Sequence, residues 1–335
     1  MKKGVSIVIC TYNGKDRLGN TLMHIARQKD INFDLEVLLV DNNSSDGTSE
    51  SALNIWRELG DPFELKIILE RRPGTMHARK RGINESTYRY MLYCDDDNWL
   101  NPNYVSVAFS IINSQDSIAA VGGLGIIEYE KGFKIPKWVA PYERNYGTGT
   151  QGKTDGDTTD YKGCLYTAGA ILDRVWLDKL YRMGFVSSLT GRIGKSLVAG
   201  EDTELTYALK LIGGKLYYSS KMHFQHFMPS SRITWNYLKR LYRAFGYAEY
   251  IISPYPDYFS KKKYPHRILS LGTNFKSLVS LYLRRVKKGT LTGDPISLSI
   301  QRKQGELHAI IFNYNQFKSN IKMIERLKSH TSVGK

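Results

Sequence analysis

The 335-residue sequence predicts an α/β fold: a mixed, mostly parallel sheet flanked by helices, followed by a helical, basic C-terminal extension. Three observations predict it. Short β-branched runs alternate with helix-period segments through the first 130 residues, the pattern of a parallel sheet covered on both faces. Polar clusters follow three of those runs directly, where parallel strands would deliver them to one crevice. The excess positive charge is confined to the last third of the chain.

The elements follow in order. Residues 5–10 (VSIVIC) have the composition of a buried parallel strand. The run is too short for the apolar core of a secretory leader and gives way at once to polar Thr11, Tyr12 and Asn13. Residues 17–28 carry Leu18, Leu22 and Ile25 on one helical face. Residues 35–40 are a second strand, and Asp46 or Ser49 can cap a helix over 49–59. A third strand at 65–69, a helix over 75–86 and a fourth strand at 88–94 come next. Pro102 opens a helix in its first turn, where proline is tolerated, and 119–128 is again strand-like. Residues 130–162 are rich in Gly, Thr, Tyr, Asp and Lys without period, which predicts a long loop, mobile over a site. Helices are expected near 173–183 and 202–213, with a strand at 215–219. The pattern is helical from 232 on, so the boundary is drawn between 1–228 and 229–335.

Composition narrows the class. Hydrophobic residues make up 41% and charged residues 24%, as in a globular protein with a sizeable core. Cys10, Cys94 and Cys164 have neither paired nor metal-ligand spacing, which suits reduced thiols in a cytosolic protein. No run of 18 apolar residues predicts a membrane-spanning helix. Residues 229–335 hold 20 Lys and Arg against 5 Asp and Glu, whereas 1–228 hold 28 against 27. So basic a segment calls for a polyanionic partner. Trp235, Tyr242, Phe245 and Tyr250 lie among Lys239, Arg240 and Arg243. Leu281, Leu283 and Val286 lie beside Arg284, Arg285, Lys287 and Lys288. This interleaving favours amphipathic helices on an anionic membrane surface over nucleic acid. Packing on the rest of the chain, or a homodimer contact, is the alternative.

The chemistry concentrates at Asp95, Asp96 and Asp97. Three adjacent carboxylates at a strand end repel one another unless a cation neutralises them. A hard divalent ion, Mn²⁺ or Mg²⁺, would take one or two of them and fill its shell with phosphate oxygens. Glu201 and Asp202 begin a helical run; Asp202 is either an N-cap or a general base. His226 is a candidate further metal ligand, with His223 nearby, and Arg79 could face a base or a phosphate. Residues 147–152 (GTGTQG) match G-x-G-x-x-G, but no strand precedes them and no helix follows, so the dinucleotide fingerprint is rejected.

These stretches together resemble the inverting family-2 glycosyltransferases with a GT-A-type nucleotide-binding fold. The resemblance rests on residues 5–14 (VSIVICTYNG), 40–48 (VDNNSSDGT), 78–83 (ARKRGI), 93–100 (YCDDDNWL) and 200–205 (GEDTEL), in that order. It implies that Thr11, Tyr12 and Asn13 line a nucleoside pocket, that Asp41 bonds the base, usually uracil, and that Arg79 contacts the nucleotide. It implies Asp95 or Asp96 on the ribose, Asp97 on the metal and Asp202 as catalytic base, with residues 165–172 as a wall between donor and acceptor. The implied partners are a UDP-sugar or similar nucleotide-sugar donor and a glycan or lipid-linked acceptor, in cell-surface glycan or polysaccharide synthesis. The expected location is the cytoplasm, peripheral to the inner face of the membrane. The triple Asp leaves the ribose contact unassigned. The Q-x-x-R-W motif of processive synthases is absent, which points to single additions. A nucleotidyltransferase is the runner-up, disfavoured by the single glycine in the loop after the first strand.

Overall fold

The computed structural model describes residues 1–194, 196–288 and 292–332, the side chains of 287, 288, 331 and 332 excepted. The first half alternates as expected: β1 (Lys2–Thr11), α1 (Lys15–Ala26), β2 (Leu35–Asp41), α2 (Thr48–Glu58), β3 (Glu64–Leu69), α3 (Thr75–Glu85) and β4 (Tyr88–Asp95). Short β5 (Asn98–Leu100), α4 (Tyr104–Ile112) and long β6 (Ile118–Tyr129) follow. Then come β7 (Gly156–Asp157), β8 (Ile171–Asp173), α5 (Arg174–Arg182), α6 (Glu201–Leu211) and β9 (Lys215–Met228). The described strands form one sheet in the order β3-β2-β1-β4-β8-β6-β9-β5, with β7 paired to β9. Strands β1 to β4 are mutually parallel, β8 runs against both β4 and β6, and β6 and β9 are parallel.

Both faces of the sheet are buried, and the alternation along β1 shows it. Ile7 and Ile9 pack with Leu18, Leu22, Trp56 and Tyr104 under α1, α2 and α4. Val8 points the other way, into a cluster with Ala78, Tyr93, Leu177 and Leu209 from α3, β4, α5 and α6. The parallel core brings the carboxyl ends of β1, β2 and β4 to one edge, so the polar clusters at 11–13, 41–46 and 95–97 converge there.

Three expectations change. The strand after α6 does not stop at 219 but runs to Met228, because Met222, Phe224, His226 and Met228 alternate inward. The segment 130–162 has structure of its own: a 3₁₀ helix spans Ala140–Tyr146, and the buried Gln151 amide donates to the Gly123 carbonyl at 3.0 Å. The rejected glycine pattern lies within this segment and precedes no helix.

The third change concerns the tail, which forms α7 (Trp235–Ile252), α8 (Pro254–Phe259), α9 (Arg267–Lys288), α10 (Pro295–Phe312) and α11 (Tyr314–Ser332). The aromatic face of α7 turns to protein, not outward. Trp235 lies 5.3 Å from Trp138, Tyr142 packs on both Trp235 and Tyr242, and buried Tyr250 stacks on Phe317. An amphipathic helix seeks any apolar partner, and here 138–146 and α11 supply it. Ile251, Tyr255, Phe317 and Leu327 share one core cluster with Leu205, Tyr207 and Leu209 of α6, so the core continues across residue 228. The side chains of Lys287 and Lys288 lie outside the described residues.

Helices α7 and α10 cross at backbone contact. A Cβ on Gly246 would overlap the carbonyl oxygen of Arg302, and one on Gly305 would overlap that of Arg243. Overpacking such a contact costs about 1–3 kcal/mol. Gly305→Val is therefore expected to lower the unfolding free energy by at least that much in urea denaturation, with Gly305→Ala the milder of the two.

Candidate active site

The carboxyl edge of the sheet opens into a cleft of about 1100 Å³. Its floor is the turn between β4 and β5, where Asp95, Asp96 and Asp97 all line the cavity. Each carboxylate meets a cation from a different part of the chain. The Asp96 carboxylate takes a bidentate bond from Arg17 of α1, Nε at 2.8 Å and Nη2 at 2.7 Å, and accepts from Thr11 Oγ1 at 2.6 Å. Asp97 Oδ2 accepts from Arg232 Nη1 at 3.0 Å, and Asp97 Oδ1 lies 3.4 Å from His226 Nε2. Asp95 Oδ1 lies 4.0 Å from Arg79 Nη2.

The local sequence explains these placements. Gly14 lets the chain turn tightly over the Thr11–Asp96 bond; a Cβ there would overlap Thr11 Oγ1. The short strand β5 pairs antiparallel with β9, setting Asn98 opposite His226, and Phe227 N donates to the Asp97 carbonyl at 2.8 Å. Backbone pairing alone thus delivers His226 to Asp97. Burial works against charge on Asp97, but His226 and Arg232 outweigh it and hold its carboxyl well below the usual range. The imidazole of His226 shifts the other way: burial opposes its charge, and Asp97 raises its proton affinity above the ordinary histidine value. His223 lies outside this group, with Nδ1 3.4 Å from Asn101 Nδ2.

The loops after β1 and β2 are stitched together. Asn13, at φ 48°, accepts from Ser45 N through Oδ1 at 2.9 Å and donates its own N–H to Ser44 Oγ at 2.9 Å. Asp41 is buried and accepts from Ser44 N at 2.8 Å and from the Ser49 hydroxyl. Neither residue is among those lining the cleft; Thr11 and Tyr12 are, and Tyr12 is 56% exposed. Asn42 pins the loop after β3, donating to the carbonyls of Glu70 and Arg72 and accepting from Gly74 N.

Helix α6 begins at Glu201, and Gly200, at φ 120°, occupies the cap position without a side-chain bond. Asp202 is therefore not the N-cap. Its Oδ1 accepts from Thr203 N at 2.7 Å and its Oδ2 from Thr167 N at 3.3 Å, and it lines the cleft with the acidic turn. Beside it, the partly buried Arg79 lies over the Tyr93 ring with Nη1 3.4 Å from Glu201 Oε1. Burial pushes the Glu201 carboxyl up against the pull of Arg79. Arg79 thus ties Asp95 to the start of α6.

Sequence reasoning missed several members of the site. Arg17 stands in the first turn of the first helix, and Arg232 follows β9 with no motif around it. Arg192 lines the cleft as well. So do Tyr237, Tyr242 and Phe245 of α7.

The profile described as glycosyl transferase family 2 matches residues 6–174. Chondroitin synthase of Escherichia coli is 31% identical over 130 residues, 38% of this chain but 18% of that protein's length. Two solved structures share the fold at 16% identity across 100% of this chain. One is TarS (residues 1–349) of Staphylococcus aureus in complex with UDP, 92% of it covered at a TM-score of 0.50. The other is the mannosyltransferase PcManGT of Pyrobaculum calidifontis with GDP-Man and Mn²⁺, 88% covered at a TM-score of 0.55.

Removing Arg17 should leave Asp96 held only by Thr11 between two other carboxylates. Because Arg17 is one-third exposed, the loss is smaller than for a fully buried pair, about 1–3 kcal/mol. Arg17→Met is expected to show this deficit in urea denaturation at neutral pH. Burial already holds the Asp96 carboxyl above its ordinary value against the pull of Arg17, so without Arg17 its folded pKa rises further above the unfolded one. Protonation then favours the folded form, and the deficit should shrink as pH falls.

Proposed function

The chain belongs to glycosyl transferase family 2, and on that premise we propose that it moves a sugar from a UDP-sugar to an acceptor hydroxyl with inversion at the anomeric carbon. The observation that carries this reading is that Asp202 lines the same cleft as the acidic turn at 95–97. A donor held at the turn and an acceptor held at Asp202 would then meet in one cavity. Binding of UDP by TarS and of GDP-Man by PcManGT supports a nucleotide-sugar donor in a cleft of this fold.

The residues divide the work. Tyr12 offers its ring at the cleft to the base, while Thr11, Asn13 and Asp41 hold the loops that shape the nucleoside pocket. Asp96 is committed to Arg17 and Thr11, so Asp95 is the carboxylate free to take the ribose hydroxyls. Arg79 acts through Asp95 and Glu201. Asp202 accepts the proton of the acceptor hydroxyl as its oxygen bonds to the anomeric carbon and the bond to the diphosphate breaks.

A divalent cation fits beside Asp97. Among the described residues no three His, Cys, Asp or Glu side chains gather to enclose a metal. Asp97 Oδ1 and His226 Nε2 nevertheless lie together, both side chains nine-tenths buried, and His226 Nδ1 has no protein partner. One carboxylate and one imidazole leave the remaining positions to donor phosphates and water, as suits Mn²⁺ or Mg²⁺. When bound, such an ion supplies positive charge against the departing diphosphate. The presence of Mn²⁺ in the PcManGT complex supports this choice. The acceptor is a glycan or lipid-linked glycan of the cell surface, a reading supported by the likeness to chondroitin synthase.

Asp202→Asn is expected to cut turnover by roughly 10²–10⁴-fold with donor affinity nearly unchanged, measured as release of nucleoside diphosphate and by titration calorimetry. Wild type should give a β-linked product from an α-linked donor, read from the anomeric coupling in the product's NMR spectrum; retention would overturn Asp202 as the base. Asp97→Asn should abolish the activation that Mn²⁺ gives after chelator treatment, while the circular dichroism of the folded chain persists. Full turnover in excess chelator would remove the metal from the scheme.

A further inference from the structure

Helix α9 packs inward through Leu271, with Leu278 and Leu281 half-buried, yet turns more apolar surface outward than a helix that only packs on its own protein needs. The face it turns inward, toward α10, carries Ser270 and Asn274, both buried, and neither polar atom of the Asn274 side chain has a partner. The face it turns outward carries Ile268, Leu269, Phe275, Leu283 and Val286, each 60–83% exposed. At 100° per residue these five fall within an arc of roughly 120°, and Lys276 and Arg284 lie along one border of it. Phe312, 71% exposed, extends the surface at the start of α9, where Arg267 donates to the Ile311 carbonyl at 2.7 Å. Scattered exposed apolar residues need no explanation, but a continuous stripe along a helix of 22 residues does.

The charge of the same stretch selects the partner. Residues 258–293 contain nine Lys and Arg and no Asp or Glu. Lys261, Lys262 and Lys263 are exposed just before the helix. A second copy of this chain would bring the same uncompensated positive charge against itself. A surface with negative headgroups above an apolar interior answers both halves of the pattern. Among the described residues no helix is long and apolar enough to cross a membrane, so α9 would lie in the interface. We propose that the outward face of α9, continued by Phe312, docks the protein on an anionic lipid surface. Helix α10 packs against both α9 and the cleft-lining α7, so the docking helix stands one layer from the cleft.

The inference is independent of which sugar is moved, and its test uses the full chain. Flotation is measured with vesicles of phosphatidylcholine containing phosphatidylglycerol, at low and high salt, and with phosphatidylcholine alone. Wild type should float with the anionic vesicles at low salt and be released at high salt. The triple variant Phe275→Glu, Leu283→Glu, Val286→Glu should lose at least tenfold in bound fraction with an unchanged unfolding midpoint, and Val286→Glu alone should lose part of it. Absence of flotation at low salt overturns the proposal, as does flotation undiminished in both variants. A concentration-dependent dimer in light scattering that the triple variant abolishes, without vesicle binding, would assign the face to a second copy instead.

Discussion

The site is organised by the repulsion among three consecutive carboxylates. Two unit charges 4 Å apart in a partly buried setting interact by about 4 kcal/mol, so Asp95, Asp96 and Asp97 cannot share one turn unless each is answered. The fold answers each from a different direction: α3 through Arg79, α1 through Arg17, and the end of β9 and the residues after it through His226 and Arg232. The acidic turn is thus the hub on which three otherwise unrelated pieces of chain are oriented. The same pairing leaves the three groups unlike one another. Asp96 is consumed in structure, Asp95 remains partly exposed, and Asp97 keeps one oxygen beside an imidazole.

The cleft has two halves with different histories in the sequence. One side is built from the carboxyl ends of β1, β2 and β4, all inside the stretch matched by the family profile. The opposite side comes from beyond it: α6, the end of β9, and α7 with Tyr237, Tyr242 and Phe245. Backbone contact at Gly246 and Gly305 fixes α7 against α10, and the shared core with α6 fixes both against the sheet. The stretch matched by the family profile therefore supplies one part of the cleft, and residues beyond it supply the rest.

Much of this was legible because it is local. The strands and helices of the first 130 residues follow from alternating periods, and the acidic turn is visible because its members are neighbours in the chain. Asp202 was visible as a carboxylate at a helix start, although its role as a cap was not sustained once Gly200 took that position. Arg17 and Arg232 were not legible. Each is an ordinary basic residue until folding brings it to an aspartate 79 or 135 positions away. The aromatic face of α7 was misjudged for a related reason: a helix that packs on Trp138 and Tyr142 has the same period as one that lies on lipid. Only exposure separates α7 from α9, and exposure is a tertiary property.

The contribution of α7 and α10 to the cleft has a consequence in time. A ribosome emits the chain from its amino end, so the acidic turn emerges long before Tyr242 or Arg302, which complete the cavity wall. At 5–20 residues per second the interval between Asp97 and Arg302 is roughly 10–40 s. During that interval the nascent chain carries the three aspartates but not Arg232, Tyr242 or Arg302, which line the cavity with them. The cleft is thus walled in late in synthesis, well after its acidic turn has been made.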